Sequence, residues 1–437
     1  MKRYESWGKY PTAHHKIYPL QWRTDKLDMA TFDRTVLPFG QGRSYGDSCL
    51  NDGGILLDTE GLNRLISFDR EKGILRCEAG LTLDKILELI VPQGWFFPVT
   101  PGTKYVSVGG CIANDVHGKT HHREGTFGHH VSCFELMRSN GERLLCSPTE
   151  NEELFRATIG GLGLTGLITW AELTLKPIKS PFIRMESIKF ENLDKFFEVS
   201  AESDEKFEAT MAWVDCLSQG ESLGRGIFMG GNFAEPPFDK TPTGRSKTLF
   251  TVPINAPNFA LNTLTSRAFN YLYYNKQRIK IQRSLLYYEP FFYPLDILDQ
   301  WNRIYGNRGF MQYQFVVPYT DYNAIRTIFQ KIAESGLGSF LAVLKTFGDI
   351  PSLGIMSFPR QGVNLALDFP NDGTKTFNLL EQLDQIVKAN NGLVYPAKDA
   401  RMSADSFQSF YPQWHEFAKY IDPKFSSSFW RRVTVSK

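Results

Sequence analysis

The chain has few cysteines, no long apolar run and almost no net charge, and each scarcity removes a class of protein. Its cysteines, Cys49, Cys77, Cys111, Cys133, Cys146 and Cys216, all lie in the first half and none forms a C-x-x-C pair. That pattern argues against a disulfide framework or a zinc site and fits reduced thiols of a cytoplasmic setting. No segment holds the ~18 uninterrupted apolar residues of a membrane span, and the N-terminus MKRYESWGKYPTAHHK lacks the apolar core of a signal peptide. A soluble or peripheral protein is expected, in the cytoplasm or on its membrane face. Net charge is +2, with no basic block interleaved with aromatics, so no nucleic-acid partner is implied. No internal repeat or low-complexity tail is visible.

Glycine, by contrast, is clustered. Val36 to Ser48 reads VLPFGQGRSYGDS, placing Gly40, Gly42 and Gly46 around Arg43, Ser44 and Tyr45. Such a turn lets backbone N–H groups converge on an anion such as a pyrophosphate. It is no Rossmann fingerprint, which would open a helix and carry an acidic residue about 20 positions on. A second cluster lies in PGTKYVSVGGCIANDVH (101–117) and a third in GGLGLTG (160–166). Between them, HGKTHHREGTFGHH gathers five of the eight histidines, yet has neither H-E-x-x-H nor a zinc Cys/His spacing, and no metal is expected.

Two textures follow each other along the chain. To about residue 177, strand-like runs (GILLDT, GILRCEAG, GLITWAELTLKPI) alternate with glycine turns, with helices expected in TLDKILELIVPQGW and NEELFRATI. Beyond Lys179 come longer alternating runs, FIRMESIKF, MAWVDCL and FMQYQFVVPY, and helical patterns such as NAIRTIFQKIAESG. These predict a second domain with an antiparallel sheet backed by helices, as 437 residues exceed one core. Residues 234–259, rich in proline and polar residues, read as a long mobile loop. The segment 259–294 mixes Leu, Phe and Tyr with Arg267, Lys276, Arg278, Lys280 and Arg283; this reads first as a loop and helix packed on the second domain with solvated basic residues, and only weakly as an element at a membrane surface that admits a lipid-linked substrate.

The order and spacing of GRSYGD, PGT..VSVGG, DVHGK.HH..G.FG.HV and GG.GLTG resemble the PCMH-type FAD-binding domain of the vanillyl-alcohol oxidase family. Within it, the likeness is to the decaprenylphosphoryl-β-D-ribose 2-oxidases. It continues through Trp213 with Asp215, YPLDILDQWNRIYG, GFMQYQFVVP, LKTFG, NLALDFP and AKDARMSADSF, so it covers most of the chain. The resemblance implies an α+β, two-domain flavoprotein: an FAD-binding domain over 1–177, a substrate domain over 178–392, and a return of 393–437 to the FAD-binding domain. It implies FAD, held without a covalent bond because Arg43 stands where histidine-tethered relatives carry G-x-G-H-S. The implied cofactor contacts are Gly40, Gln41, Gly42, Arg43, Ser44, Tyr45, Gly46, Gly102, Ser107, Val108, Gly109, Gly110, Asn114, His117, Gly163, Ile168 and Tyr395.

The same resemblance implies oxidation of the 2-hydroxyl of a polyprenyl-phosphate-linked ribofuranose to a keto sugar, with a short-chain NAD(P)H-dependent reductase as partner. Flavin takes the hydride, and a side chain must take or share the hydroxyl proton. Lys398 in AKDAR is the first candidate, with Tyr45 and His117 able to orient or relay. Trp213, Tyr293, Gln312, Gln314, Lys345, Asn364 and Lys398 are the implied substrate contacts; Gln312 and Gln314 alternate along one strand and so share a face. Ala366 departs from the mycobacterial pattern, which has a cysteine there that covalent inhibitors trap. A soluble sugar, alditol or aldonolactone oxidase using oxygen is the alternative chemistry, and a flavin-binding protein without activity the alternative class.

Overall fold

The nine-residue runs FIRMESIKF and GVNLALDFP are too long and too regularly alternating for turns, and both enter one eight-stranded antiparallel sheet. Its order is Ile281–Tyr287, Phe182–Phe190, Gly226–Phe233, Ala209–Val214, Ala342–Phe347, Gly362–Pro370, Phe310–Val317 and Leu393–Val394. The computed structural model describes residues 4–238, 250–257, 261–319 and 322–434.

Period-two alternation assigns the two faces of this sheet different work. Met311, Tyr313, Phe315 and Val317, with Val363, Leu365, Leu367 and Phe369 on the neighbouring strand, pack into the main core. Helices Tyr322–Ser335 and Thr374–Ala389 cover that face through Ile325, Ile328, Phe329, Ile332, Leu379, Leu380, Leu383 and Val387. The intervening positions, Gln312, Gln314, Val343, Lys345, Asn364 and Ala366, face a cavity instead. Register pairs Gln314 with Ala366 and Lys345 with Asn364, so these side chains stand in adjacent rows.

The N-terminal part supplies the opposite side. A three-stranded parallel sheet holds Ile55–Asp58 between Lys16–Pro19 and Val36–Phe39; its central strand is buried at every position, which is why ILLD is almost wholly apolar. A five-stranded antiparallel sheet runs Leu65–Asp69, Ile74–Glu78, Leu167–Thr174, Val131–Met137, Arg143–Cys146. The helix expected in TLDKILELIVPQGW spans Leu83–Ile90, buries Leu83, Ile86, Leu87 and Ile90, and passes through a short 3-10 turn to Gly94. NEELFRATI gives Glu152–Thr158. The mixture of helices with antiparallel sheets is the expected α+β class.

At the C-terminus, Leu393–Val394 joins the eight-stranded sheet, whereas the helix Ser428–Thr434 lies against Asp47–Cys49, with Arg432 bridging Asp47 (2.7 Å) and Asp399 (2.8 Å). The loop expected over 234–259 lies outside the described residues at 239–249 and 258–259. Its described part is not structureless: Phe250–Thr251 pairs in parallel with Leu298–Asp299, a partner too distant in sequence for composition to signal. The 259–294 segment contains the helix Thr263–Lys276 and the edge strand Ile281–Tyr287. Among the described residues, no helix is long and apolar enough to cross a membrane.

Candidate active site

The first glycine loop leaves the strand Val36–Phe39 and is stitched to the N-terminal segment and to a turn some 350 positions on. Trp7 N donates to Ser44 O (2.8 Å), and Tyr45 N donates to Ala397 O (2.9 Å). Gly42 turns the chain at φ +60°, and a Cβ on Gly46 would lie 1.7 Å from the carbonyl oxygen of Asp399. Only glycine allows that approach. It brings the AKDAR segment against the loop, and with Tyr395 N on Gln314 O (2.9 Å) it ties Lys398 between loop and sheet. The second cluster forms the helix Val108–Ala113, capped by the Ser107 side chain on Gly110 N, with Gly109 N on Ala79 O (2.7 Å). The third is joined to it by Leu162 N on Ala113 O (2.8 Å).

These pieces enclose a cavity of about 330 Å³. One side presents Gly40, Gln41, Gly42, Arg43, Ser44, Tyr45, Gly102, Ser107, Gly109, Gly110, Asn114, His117, Gly163 and Ile168. The other presents Gln312, Gln314, Lys345, Asn364, Ala366, Tyr395 and Lys398. Four expected residues are placed outside the wall. Gly46 is pressed on Asp399, and Val108 is fully buried in the core behind its loop. Tyr293 shares a hydrogen bond with Thr100 (2.7 Å) and is buried among aromatic rings. Trp213 donates Nε1 to Phe340 O (3.0 Å) and packs on Tyr273. Each of the latter two has its polar atom bonded to protein.

With the Gln314 amide in this orientation, one tautomer of His117 follows. The Gln314 amide nitrogen lies 2.7 Å from His117 Nε2 and 2.9 Å from Asn364 Oδ1, spending both its hydrogens. His117 Nε2 therefore accepts and the ring is neutral with its proton on Nδ1. Burial, then the charges of Lys345, His121 and Lys398, push its pKa well down, in the same sense. His117 Nδ1, Asn364 Nδ2, Arg43 Nε and Ser48 Oγ are buried without partners among the described residues. Four such groups around one cavity are costly unless a ligand completes them. Arg43 stacks on Trp7 (4.0 Å to the ring centroid), and burial lowers its pKa.

Three half-buried lysines gather here, Lys345 and Lys398 on the sheet side and Lys119 beside them. Burial brings Lys398 down to about 8, with Asp368 opposing. Lys345 falls to about 7 through burial and then the charges of Lys119 and Lys398; Lys119 itself falls to about 8. Lys398 Nζ lies 4.0 Å from the Tyr45 ring centroid, and Tyr45, whose own pKa burial raises, packs edge-on to Phe310. Asp368, raised to about 7 by burial, accepts from Gln312 Nε2 (2.7 Å). Sequence reading did not single out Asp368, Lys119 or the cavity-lining Trp7 and Trp301; for Asp368 the signal was present, since it sits two and four residues after Ala366 and Asn364 on the same strand face.

A glycine-built wall with unfilled donors fits a flavin dinucleotide, whose pyrophosphate accepts from backbone N–H groups and whose ring is flat. Comparison with known proteins agrees. Residues 27–147 match the FAD binding domain family. Decaprenylphosphoryl-β-D-ribose oxidase of Mycolicibacterium smegmatis is 36% identical over 92% of this chain and 90% of its own length. Human Δ(24)-sterol reductase is 31% identical over 26% of this chain and 22% of its own length, and D-lactate dehydrogenase of Anaerostipes hadrus 28% identical over 32% and 31%. The last two likenesses cover no more than a third of the chain; the first runs through both walls.

Proposed function

Because the chain belongs to the decaprenylphosphoryl-β-D-ribose oxidase family, with FAD as its cofactor, we propose that it oxidises the 2-hydroxyl of a polyprenyl-phosphate-linked β-D-ribofuranose to the 2-keto sugar. The observation that carries this reading is the single cavity in which the glycine loops face Gln312, Gln314, Lys345, Asn364 and Lys398. The loop residues 40–44, with Gly102, Ser107, Gly109, Gly110, Asn114 and Gly163, hold FAD; Arg43 cannot form the histidine tether, so binding is non-covalent. When bound, FAD accepts the hydride that leaves carbon 2.

Lys398 takes the hydroxyl proton. A pKa near 8 leaves a useful fraction of free amine at neutral pH, as a general base requires. Asp368 lies within reach of its charge and steadies the ammonium that forms. Tyr45 buttresses the amine through its ring face. Gln314 holds His117 neutral, so His117 offers an Nδ1 proton as a hydrogen-bond donor and no second positive charge. Gln312 and Asn364 bind sugar hydroxyls, and Lys345, with Lys119 behind it, attracts the phosphate. The keto product requires a separate hydride donor to complete epimerisation, a short-chain NAD(P)H-dependent reductase, and the lipid carrier places the enzyme peripherally at a membrane face.

The product decides the matter. Turnover with polyprenyl-phosphoryl ribose and an artificial electron acceptor, followed by borodeuteride reduction, is expected to give ribose and arabinose deuterated at carbon 2. Turnover of free ribose, alditols or aldonolactones, with none of the lipid-linked sugar, would replace this reading by that of a soluble oxidase.

A further inference from the structure

The helix Thr263–Lys276 is folded inside out. Its inward side buries polar groups beside the aromatic contact of Tyr273 with Trp213: Asn270 is fully buried, donating to Asp215 Oδ1 (2.9 Å) and Ser339 O (3.3 Å). Ser266 is buried with it, Thr263 donates to Gly336 O (2.6 Å), and Gln277 just beyond the helix donates to Ser187 O (3.0 Å). Its outward side is apolar, with Leu264 76% and Leu272 68% exposed beside Phe269 and Tyr271; Ile279, 60% exposed, and Ile281 continue the surface onto the next strand. The helix Tyr322–Ser335 of the same chain shows the ordinary arrangement, burying Ile325, Ile328, Phe329 and Ile332. An apolar outer face is unfavourable in water and marks a surface that something else covers.

Charge says what covers it. Residues 261–288 contain Arg267, Lys276, Arg278, Lys280 and Arg283 and no Asp or Glu, so the rest of this chain of net charge +2 is net acidic. Arg283 is paired with Glu186, and Lys276 lies over the Tyr273 ring; Arg267, Arg278 and Lys280 are exposed and make no ion pair among the described residues. Exposed Leu, Ile, Phe and Tyr interleaved with unpaired Lys and Arg match an anionic bilayer, whose headgroups take the charges while its acyl boundary takes the apolar side chains. The surface is also continuous with the active site. Phe269 packs on Phe340 (5.5 Å between centroids), Phe340 on Tyr305 (5.8 Å), Tyr305 on Phe310 (4.2 Å) and Phe310 on Tyr45, over which Lys398 sits. Leu261, just before the helix, packs against the cluster of Tyr45, Trp301, Tyr305 and Phe310.

We infer that the outer face of Thr263–Lys276, with the basic strand that follows it, docks the protein on an anionic phospholipid surface. The choice of a membrane as occupant rests on the reading of a lipid-linked substrate, which a docked enzyme would receive without drawing the polyprenyl chain through water.

Flotation of the flavin-loaded full chain tests this with vesicles of phosphatidylcholine alone and of equal parts phosphatidylcholine and phosphatidylglycerol. Flotation with the anionic vesicles at low salt is expected, weakened about thirtyfold in an Arg278→Gln, Lys280→Gln variant. A Leu264→Gln, Leu272→Gln variant is expected to lose flotation while keeping its flavin absorbance and its rate with a short-chain, water-soluble prenyl-phosphoryl ribose. Wild-type protein that fails to float, variants that float equally well, or a wild-type dimer that the leucine variant splits in the absence of vesicles would each overturn the inference. Vesicle binding with no activity on any prenyl-phosphoryl ribose would support the surface and sink the substrate reading alone.

Discussion

One wall of the cavity is made largely of backbone and the other of side chains. The loop side contributes Gly40, Gly42, Gly102, Gly109, Gly110 and Gly163, where the absence of Cβ atoms lets a ligand lie close against the backbone; the sheet side contributes Gln312, Gln314, Lys345, Asn364 and Lys398, where polar side chains are carried into the cavity. The contrast separates two demands. Holding a dinucleotide asks for close backbone approach, whereas oxidising an alcohol asks for titratable groups displaced from their ordinary pKa. Altering one wall should therefore spare the task of the other.

The largest effect is expected on the sheet side. Lys398→Ala should lower kcat by about 10²–10⁴-fold, the usual worth of a positioned base, with flavin content and absorbance unchanged; a rate within a few fold of wild type would assign the proton to another group. Gly109→Val breaks the loop side. Its first added carbon would stand 3.1 Å from the Ala79 Cβ. Overpacking of this kind costs about 1–3 kcal/mol, read as a lower Tm and substoichiometric flavin absorbance.

A pH profile sharpens the division within the sheet wall. Protonated Lys398 cannot accept a proton, so kcat should rise about tenfold per pH unit below its pKa near 8 and level off above. Lys345, brought to about 7, loses charge over the same range, so KM for a phosphorylated substrate should rise as pH passes 7. Replacing Lys345 with Gln should remove the KM trend and leave the kcat trend. The smallest effect belongs to Ala366→Cys, expected to leave kcat/KM within about threefold because the added atom is one sulfur in a cavity wall. The variant should gain labelling by thiol-trapping reagents that wild type resists, since burial pushes the thiol of cavity-lining Cys49 up to about 12 and raises that of Cys111 as well.

The two walls also differed in how readable they were. Loop-side residues are contiguous in GQGRSYG, VSVGG and GGLGLTG, so one stretch of chain announces each cradle. The sheet side is dispersed over three strands and a turn. Gln312 and Gln314 were legible through alternation, which placed them on one face, but alternation could not tell a cavity from solvent. Asp368 went unremarked because its role depends on Gln312 across the ladder and on Lys398 some 30 residues on. Trp213 and Tyr293 were drawn in by resemblance, and their placement turned on local partners, Phe340 O and Thr100, that no spacing reveals. The inside-out helix shows a further limit: a mixed segment reads ambiguously until the buried Asp215 fixes which side its Asn270 must face.

The most direct measurement is anaerobic stopped-flow bleaching of the bound flavin near ~450 nm, with a polyprenyl-phosphoryl ribose in one syringe and, in parallel, free ribose and alditols. Fast bleaching by the lipid-linked sugar, absent for the soluble ones and lost in Lys398→Ala, is the expected result. Bleaching by soluble polyols alone, or an undiminished rate in Lys398→Ala, would contradict the division of the cavity into a flavin wall and a lipid-sugar wall.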